Sequence, residues 1–174
     1  MNETWDLLVM GHGAAAFNMA VDEALLRTAA QRGRPLLRVY AWEGKPVTFG
    51  YFQKFPAGIT ATAIVRRPTG GGIVYHGDGV DTTYSVIVPP GHRLHAMKTS
   101  EAYCALHKAV AAALALAGPL CAIAGQQKGQ YECFQNPVAG DVGADGAKLA
   151  GGAQRRGAVP HHQQIPSLVH RLRR

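Results

Sequence analysis

Apolar residues recur at helical spacing in two parts of the chain. Within residues 14–32, Phe17, Val21 and Leu25 return every four positions, with polar residues between them. This pattern predicts an amphipathic helix that ends where a glycine and a proline follow. Residues 99–117 show a similar apolar pattern and predict a second helix, again closed by a Gly-Pro pair.

Before and after the second helix, β-branched and aromatic residues form short runs separated by turn residues. Such runs predict strands, and the glycines and prolines between them predict turns. Strands broken by two helices, without strict βαβ alternation, indicate an α+β fold with a mixed, mainly antiparallel sheet flanked by helices. The predicted strands cover 36–42, 47–52, 63–67, 73–76, 82–88, 148–154 and 159–165, and residues 126–147 are predicted to be rich in loops.

The segment 66–76 has the densest concentration of candidate functional groups. Two arginines supply forked donors that suit carboxylate or phosphate, and three glycines allow the backbone to approach a ligand closely. A glycine-rich hairpin turn with solvated arginines fits the same residues, and the final histidine fits either a ligand-orienting group or a turn cap. The spacing matches neither a phosphate-binding P-loop nor a GxGxxG dinucleotide loop. The candidate binding residues are Arg66, Arg67, Thr69, Gly70, Gly71, Gly72 and His76.

A second candidate cluster lies later in the chain, where Lys148 precedes Gly151 and Gly152. A lysine beside glycines suits a point charge against an acyl carbonyl or a phosphate, although an ordinary surface lysine fits the same pattern. Cys133 lies in a polar, loop-like stretch, whereas the other two cysteines fall in apolar runs. A loop cysteine near cations can act as a nucleophile, and an inert thiol is the alternative.

Composition narrows the class of partner. A chain of 174 residues fits one domain, and its net charge of +7 favours an acidic partner. Because only 7% of residues are aromatic and no basic-aromatic strip appears, nucleic acid is not the expected partner. No membrane span or leader is evident, and three cysteines without CxxC spacing fit a reducing cytoplasm. The histidines at 161, 162 and 170 lack further ligands at zinc spacing, so we expect no metal site.

Several segments resemble, in order, the lipoate-protein ligase and octanoyltransferase family of the biotin/lipoate A/B protein ligase superfamily. Residues 18–25 (NMAVDEAL) are similar to its first helix, NMAxDEALL, and residues 37–53 contain strands similar to its RxYxW and LGYFQ segments. Residues 66–76 (RRPTGGGIVYH) resemble its RRxTGGGxVxH motif. Residues 148–154 (KLAGGAQ) resemble its KIxGxAQ segment.

The resemblance implies a biotin/lipoyl-ligase-type catalytic domain in which the glycine segment lines the acyl pocket and Lys148 contacts the acyl carbonyl. It implies transfer of an octanoyl or lipoyl group to one lysine of a lipoyl-domain protein, such as a 2-oxoacid dehydrogenase E2 or the glycine-cleavage H protein. Residues 133–137 (CFQNP) resemble a loop of the cysteine-using octanoyltransferases. That likeness implies that Cys133 accepts octanoate from octanoyl-acyl carrier protein as a thioester, without a cofactor.

Two alternatives remain open at the level of sequence. An ATP-dependent ligase of the lipoate-protein ligase A type would form an acyl-adenylate with ATP and Mg²⁺, and Gly-Gly-Gly at 70–72 is closer to ligases than the Gly-Gly-Arg common in cysteine-using transferases. A non-catalytic member that binds lipoyl domains is suggested by the altered run at 160–165. We expect one cytoplasmic catalytic domain over 1–174, shortened at its C-terminus, with a basic tail at 166–174 and no nucleic-acid or membrane partner.

Overall fold

A computed structural model describes residues 3–77, 81–116, 122–123, 139–144, 147–156, 158–159, 162–164 and 167–173. The helices in these residues are α1 (Ala15–Arg27), α2 (Ala29–Arg32), α3 (Arg93–Ala96) and α4 (Thr99–Ala115). The strands are β1 (Asp6–Gly13), β2 (Leu36–Trp42), β3 (Val47–Phe49), β4 (Ile64–Arg66), β5 (Val74–Tyr75), β6 (Asp81–Ile87), β7 (Ala122–Ile123), β8 (Val142–Ala144), β9 (Ala147–Arg155), β10 (Ala158–Val159), β11 (His162–Gln164) and β12 (Ser167–Arg173). Within this part of the chain, no helix is both long and apolar enough to cross a membrane.

A large and a small sheet organise these strands. The large sheet has the order β1-β2-β6-β12-β9-β8-β7, with β1 parallel to β2 and every other neighbour antiparallel. The small sheet has the order β4-β3-β5, in which β3 is parallel to β4 and antiparallel to β5. Strands β10 and β11 form a separate antiparallel pair. The expected α+β class, with a mixed and mainly antiparallel sheet flanked by helices, is confirmed.

Helices cover the two faces of the large sheet. Alternation along β2 buries Tyr40 and Trp42 on one face, where they pack with Met19 of α1. The opposite face carries Leu37 and Val39, which pack with side chains of α4. The N-terminal half of α1 also contacts β4, so the small sheet lies on the α1 side of the large sheet. This side is called the inner face below.

A buried polar cluster fastens α1 to the inner face. The Asp22 carboxylate accepts hydrogen bonds from Arg38 at 2.6 Å, Tyr40 at 2.7 Å and Ser85 at 2.9 Å. Burial raises the pKa of Asp22, and the charge of Arg38 with these donors opposes that rise. Asn18 accepts a further bond from Arg38 at 2.8 Å. The most recognisable residues of the first helix and of the RxYxW strand therefore hold the fold together.

Several boundaries differ from the sequence-based expectations. The first predicted helix is divided at Thr28, whose hydroxyl donates to the Ala24 carbonyl at 2.9 Å. The strand expected over 47–52 ends at Phe49, because the next residue turns against the glycine loop. Strands β1 and β8 and helix α3 were not predicted, and β8 lies in the stretch expected to be loop-rich. The expected basic tail at 166–174 contains β12, which lies between β6 and β9 in the large sheet.

Candidate active site

The glycine loop at residues 70–72 packs tightly against the end of β3. A Cβ on Gly50 would overlap the Gly71 carbonyl, so this approach requires glycine. Gly71 itself has a φ of +89°, a left-handed conformation that also favours glycine. The Tyr51 N–H donates to the Thr69 carbonyl at 2.9 Å and joins the two segments. The loop is therefore a built feature with a defined backbone conformation.

The two arginines that precede the glycines hold backbone carbonyls. Arg67 is buried, and its Nη2 donates to the carbonyls of Gly70 at 2.9 Å and Gly72 at 2.7 Å. Arg66 is exposed, and its Nη1 donates to the carbonyls of Tyr51 at 2.7 Å and Gln53 at 2.6 Å. Both guanidinium groups thus shape the loops around the site, a role that sequence alone did not indicate.

His76 belongs to a buried chain of hydrogen bonds that ends at the glycine loop. Its Nδ1 lies 2.7 Å from the Asp81 carboxylate, and its Nε2 lies 2.8 Å from the Thr48 hydroxyl. That hydroxyl also accepts from Arg67 Nη1 at 3.0 Å, so its own proton is available to donate to Nε2. His76 then donates from Nδ1 to Asp81. The histidine ring also stacks on Trp42 of β2, with 4.0 Å between centroids. His76 therefore connects the large sheet, through Thr48 and Arg67, to the glycine loop.

Lys148 is held in a buried ion pair. Its Nζ lies 2.8 Å from Asp141 Oδ2, and the two side chains are only 6% and 0% exposed. Tyr103 of α4 donates from its hydroxyl to the other oxygen of Asp141. The same hydroxyl accepts from the Gly152 N–H at 2.9 Å. A surface lysine is thereby ruled out, because burial and a paired carboxylate give this ammonium one defined position.

A bulge in β9 directs Lys148 toward Gly151. In the pairing with β8, Val142 faces Ala150 but Gly143 faces Lys148, so β9 carries one extra residue. The extra residue reverses the alternation and brings residues 148 and 151 onto the same face. A Cβ on Gly151 would overlap the Lys148 side chain. The glycine after the lysine therefore makes room for the side chain rather than marking a flexible turn.

Helix α4 supports the turn that carries Asp141. His107 is buried and its Nδ1 donates to the Gly140 carbonyl at 2.5 Å, because a carbonyl can only accept. Burial lowers the pKa of His107 to about 4, so the ring is neutral near pH 7. Gly140 has a φ of +99°, and a Cβ there would lie 2.9 Å from the Tyr103 ring. Glycine at position 140 therefore allows the turn to pack closely against α4.

The glycine loop and Lys148 lie on the same face of the large sheet. Residues 151, 153 and 155 of β9 alternate onto one face, and the bulge adds Lys148 to them. Arg155 shows which face this is, since its Nη1 donates to the Pro68 carbonyl at 3.3 Å and its guanidinium lies over Tyr51. Strand β9 therefore runs along the inner face from Lys148 to Arg155, which contacts the segment just before the glycine loop.

Two candidate residues remain, Thr69 and Cys133. Thr69 is fully buried beside the glycine loop, and its hydroxyl has no hydrogen-bond partner among the residues that the structure describes. Cys133 lies outside the described residues. Sequence analysis did not select Tyr103, His107 or Asp141. The first two are polar residues four apart in an apolar helix, which places them on one face and was the available signal.

Comparisons with known proteins show which family the chain resembles along most of its length. Residues 14–166 match the family model described as the lipoyl protein ligase A/B catalytic domain. The octanoyltransferases LipM of Moorella thermoacetica and Bacillus subtilis (strain 168) are 38% and 33% identical to the chain, each over 94% of its length. The chain spans 65% of the length of each of these curated relatives.

Solved structures with the same fold are lipoate-protein ligases. A putative lipoate protein ligase from T. acidophilum superposes with a TM-score of 0.71 at 24% identity, covering 99% of this chain and 68% of that one. A lipoate-protein ligase A bound with ATP superposes with a TM-score of 0.70 at 25% identity, covering 99% and 66%. The expected biotin/lipoyl-ligase-type fold is confirmed.

Proposed function

The chain belongs to the lipoyl protein ligase A/B catalytic domain family, and on that basis we propose that it transfers an octanoyl or lipoyl group to a lysine of a lipoyl-domain protein. The observation that carries the proposal is the buried Lys148–Asp141 pair on the same face as the glycine loop. A cation in one defined position beside a close-approach glycine suits a negative charge that develops on an acyl oxygen. The similarity to octanoyltransferases along most of the chain favours octanoate as the acyl group.

The favoured route is a double transfer through Cys133. The Cys133 thiolate attacks the octanoyl thioester of acyl carrier protein, the carrier leaves as a thiolate, and an octanoyl-cysteine remains. The neutral amine of the acceptor lysine then attacks this thioester, Cys133 leaves as a thiolate, and the proton that the amine loses passes to solvent. Exchange between thioesters is nearly balanced and amide formation is downhill, so this route needs no ATP.

Lys148 stabilises the oxyanion at both steps. Its Nζ is positioned by Asp141, which is itself held by Tyr103. Groups fixed before reaction stabilise developing charge without reorganising, and one such donor contributes a few kcal/mol, about 3 by analogy with other acyl-transfer sites. The glycine loop supplies the closely approaching backbone, and the buried Thr69 hydroxyl beside it is a further candidate contact.

An ATP-dependent ligase is the second candidate. The structural likeness to a lipoate-protein ligase A bound with ATP favours it. Lys148 would then face the acyl-adenylate, whose phosphate it suits as a point charge. The sequence suggests that Arg66 and Arg67 bind the phosphate of such a ligand. In the structure both donate to backbone carbonyls beside the loop, so they support this route less than their sequence suggests. Cys133 would then have no chemical role.

One experiment separates these routes. The protein is incubated with an apo lipoyl domain and either octanoyl-acyl carrier protein, or octanoate with ATP and Mg²⁺, and both proteins are weighed by mass spectrometry. We expect octanoylated lipoyl domain with the carrier donor alone, and an octanoyl adduct on Cys133 when the acceptor is omitted. Product that requires ATP and survives Cys133→Ala would reject the thioester route and support the ligase.

The controls for this experiment use the chain's other features. Cys104 is a half-buried free cysteine in α4, so Cys104→Ala is the matched control and should keep the adduct. Lack of product with either donor, together with measurable binding of the lipoyl domain, would leave a non-catalytic binding protein.

A further inference from the structure

Three exposed aromatic side chains cluster in the turn after β3. Tyr51 is 47% exposed, Phe52 89% and Phe55 60%, although single exposed aromatics are ordinary on protein surfaces. The Tyr51 and Phe52 rings meet edge to face with 5.1 Å between centroids. We call these three residues the aromatic platform. Aromatic clusters of this kind are enriched where proteins bind other proteins.

The platform is held in a defined conformation. Arg66 donates to the carbonyls of Tyr51 and Gln53, and Gln53 accepts from the Gly50 N–H at 2.8 Å. Phe55 packs edge to face on Phe49 of β3, with 5.8 Å between centroids. Because these bonds already order the turn, little conformational entropy remains to be lost when a partner binds.

The charged residues of the segment that carries the platform are all basic. Residues 44–77 contain four lysines and arginines, of which Lys45, Lys54 and Arg66 are exposed, and no aspartate or glutamate. Lys54 lies within the platform segment and is exposed. A segment that carries cations and no carboxylates attracts an acidic partner and repels a basic one. The chemistry that fits is therefore a protein with acidic side chains around an apolar contact.

The platform adjoins the candidate active site. Tyr51 donates its N–H to the Thr69 carbonyl beside the glycine loop, at 2.9 Å. Arg155, at the end of the strand that carries Lys148, lies over the Tyr51 ring with 5.1 Å to its centroid. A protein seated on the platform is thus placed at the glycine-loop end of the inner face.

We propose that the aromatic platform and Lys54 form the docking surface for the acidic acceptor domain whose lysine receives the acyl group. This inference rests on the proposed function and names the partner surface that it requires. Phe52 is the central contact, because its side chain is almost wholly exposed and would be buried by a partner. Lys54 steers association by charge.

The test compares variants for binding and for transfer. Phe52→Ser and Lys54→Glu are prepared, and binding of an apo lipoyl domain with an acidic surface is measured by calorimetric titration, alongside KM and kcat for octanoyl transfer. We expect Phe52→Ser to weaken binding about thirtyfold and to raise KM by a similar factor, as for a typical hot-spot residue. Lys54→Glu should weaken binding ~fivefold at low salt and less at high salt. Neither should lower kcat more than about twofold, because the platform lies outside the reacting groups.

Matched controls lie elsewhere on the surface. Phe17 on α1 is 53% exposed, and Lys108 on α4 is exposed, so Phe17→Ser and Lys108→Glu make the same chemical changes away from the platform. Both should leave binding and KM unchanged. Thermal melts verify that all four variants stay folded, as their exposure predicts.

Each outcome decides one question. Transfer with an unchanged KM in both platform variants would overturn the docking surface while leaving the proposed function intact. No transfer by the unaltered protein would reject the proposed function, and the titrations would still test the surface. If only the KM for octanoyl-acyl carrier protein rises, the platform serves the donor and the inference as stated is wrong.

Discussion

Lys148 and Asp141 form a buried ion pair whose two members depend on each other. Asp141→Asn keeps the shape of the side chain, but it replaces one of the two accepting oxygens with an N–H donor and leaves a buried ammonium without a counter-charge. Removing one partner of a buried pair costs about 3 kcal/mol. We expect urea unfolding to show a loss of that order, and octanoyl transfer to fall at least roughly tenfold because Lys148 loses its position.

Tyr103→Phe is a milder change at the same ion pair and is compared with Asp141→Asn. It removes the hydroxyl that donates to Asp141 and accepts from Gly152, while Asp141 keeps its charge. The cost should be about 1–2 kcal/mol, with a smaller fall in kcat than for Asp141→Asn. A Tyr103→Phe enzyme more impaired than Asp141→Asn would show that the carboxylate does not position the lysine.

His107 makes the stability of the fold dependent on pH. Its pKa is lowered from 6.5 to about 4 because burial disfavours the charged ring. As pH falls below 6.5, the unfolded state takes up a proton first, so stability is lost between pH 6.5 and 4 and levels off below that. This single group should cost about 2 kcal/mol at pH 5 relative to pH 7.5.

The matched variant is His107→Gln, which keeps an N–H donor for the Gly140 carbonyl and does not titrate. The unfolding free energy of each protein is measured in urea at pH 7.5 and pH 5. The loss between these pH values should be about 2 kcal/mol smaller for His107→Gln than for the unaltered chain. An equal change in both proteins would assign the acid sensitivity to other groups.

The bulge of β9 is the element that sets the direction of the Lys148 side chain. Gly151→Ala should displace Lys148, since the added Cβ would overlap that side chain. We expect octanoyl transfer to fall at least roughly tenfold. The melting temperature should change little, because the clash falls on a side chain rather than on the sheet backbone. Gly11→Ala is the control: Gly11 is exposed on β1 with open space around it, so activity should persist.

The hydrogen-bond chain under the glycine loop connects β3 and β6. Thr48→Val keeps the side-chain shape and removes the hydroxyl that links His76 with Arg67. Leaving two buried donors or acceptors short of a partner should cost about 1–3 kcal/mol and loosen the loop. Thr48→Ser restores the hydroxyl, and its stability and KM should return toward those of the unaltered chain. Identical losses for serine and valine would mean that packing, not the hydroxyl, matters.

Element prediction from sequence succeeded where a pattern was local. Strand β2 was predicted with its observed bounds, because its apolar run ends at clear turn residues. Strand β12 was missed because the arginines at the end of the sequence led us to expect a basic tail, whereas pairing on both sides by β6 and β9 makes the segment a strand. Strand β1 was missed for a similar reason: its parallel pairing with β2 is a long-range contact.

For the whole molecule, sequence identified the family and two parts of the site but not what joins them. Lys148 and the glycine loop were selected because their segments resemble the KIxGxAQ and RRxTGGGxVxH motifs of the family. That they share the inner face depends on the β9 bulge, a register effect with no signature in composition. The roles of Arg66 and Arg67 were likewise hidden, since an arginine that binds a ligand and one that binds a carbonyl look the same in sequence.

The most direct test of the account is tandem mass spectrometry of an apo lipoyl domain after incubation with the protein and octanoyl-acyl carrier protein. The unaltered chain should place one octanoyl group on one lysine of that domain without ATP, and Lys148→Ala should place almost none. Equal octanoylation by the two proteins would show that Lys148 has no part in the transfer, which contradicts the proposed role of its ammonium group.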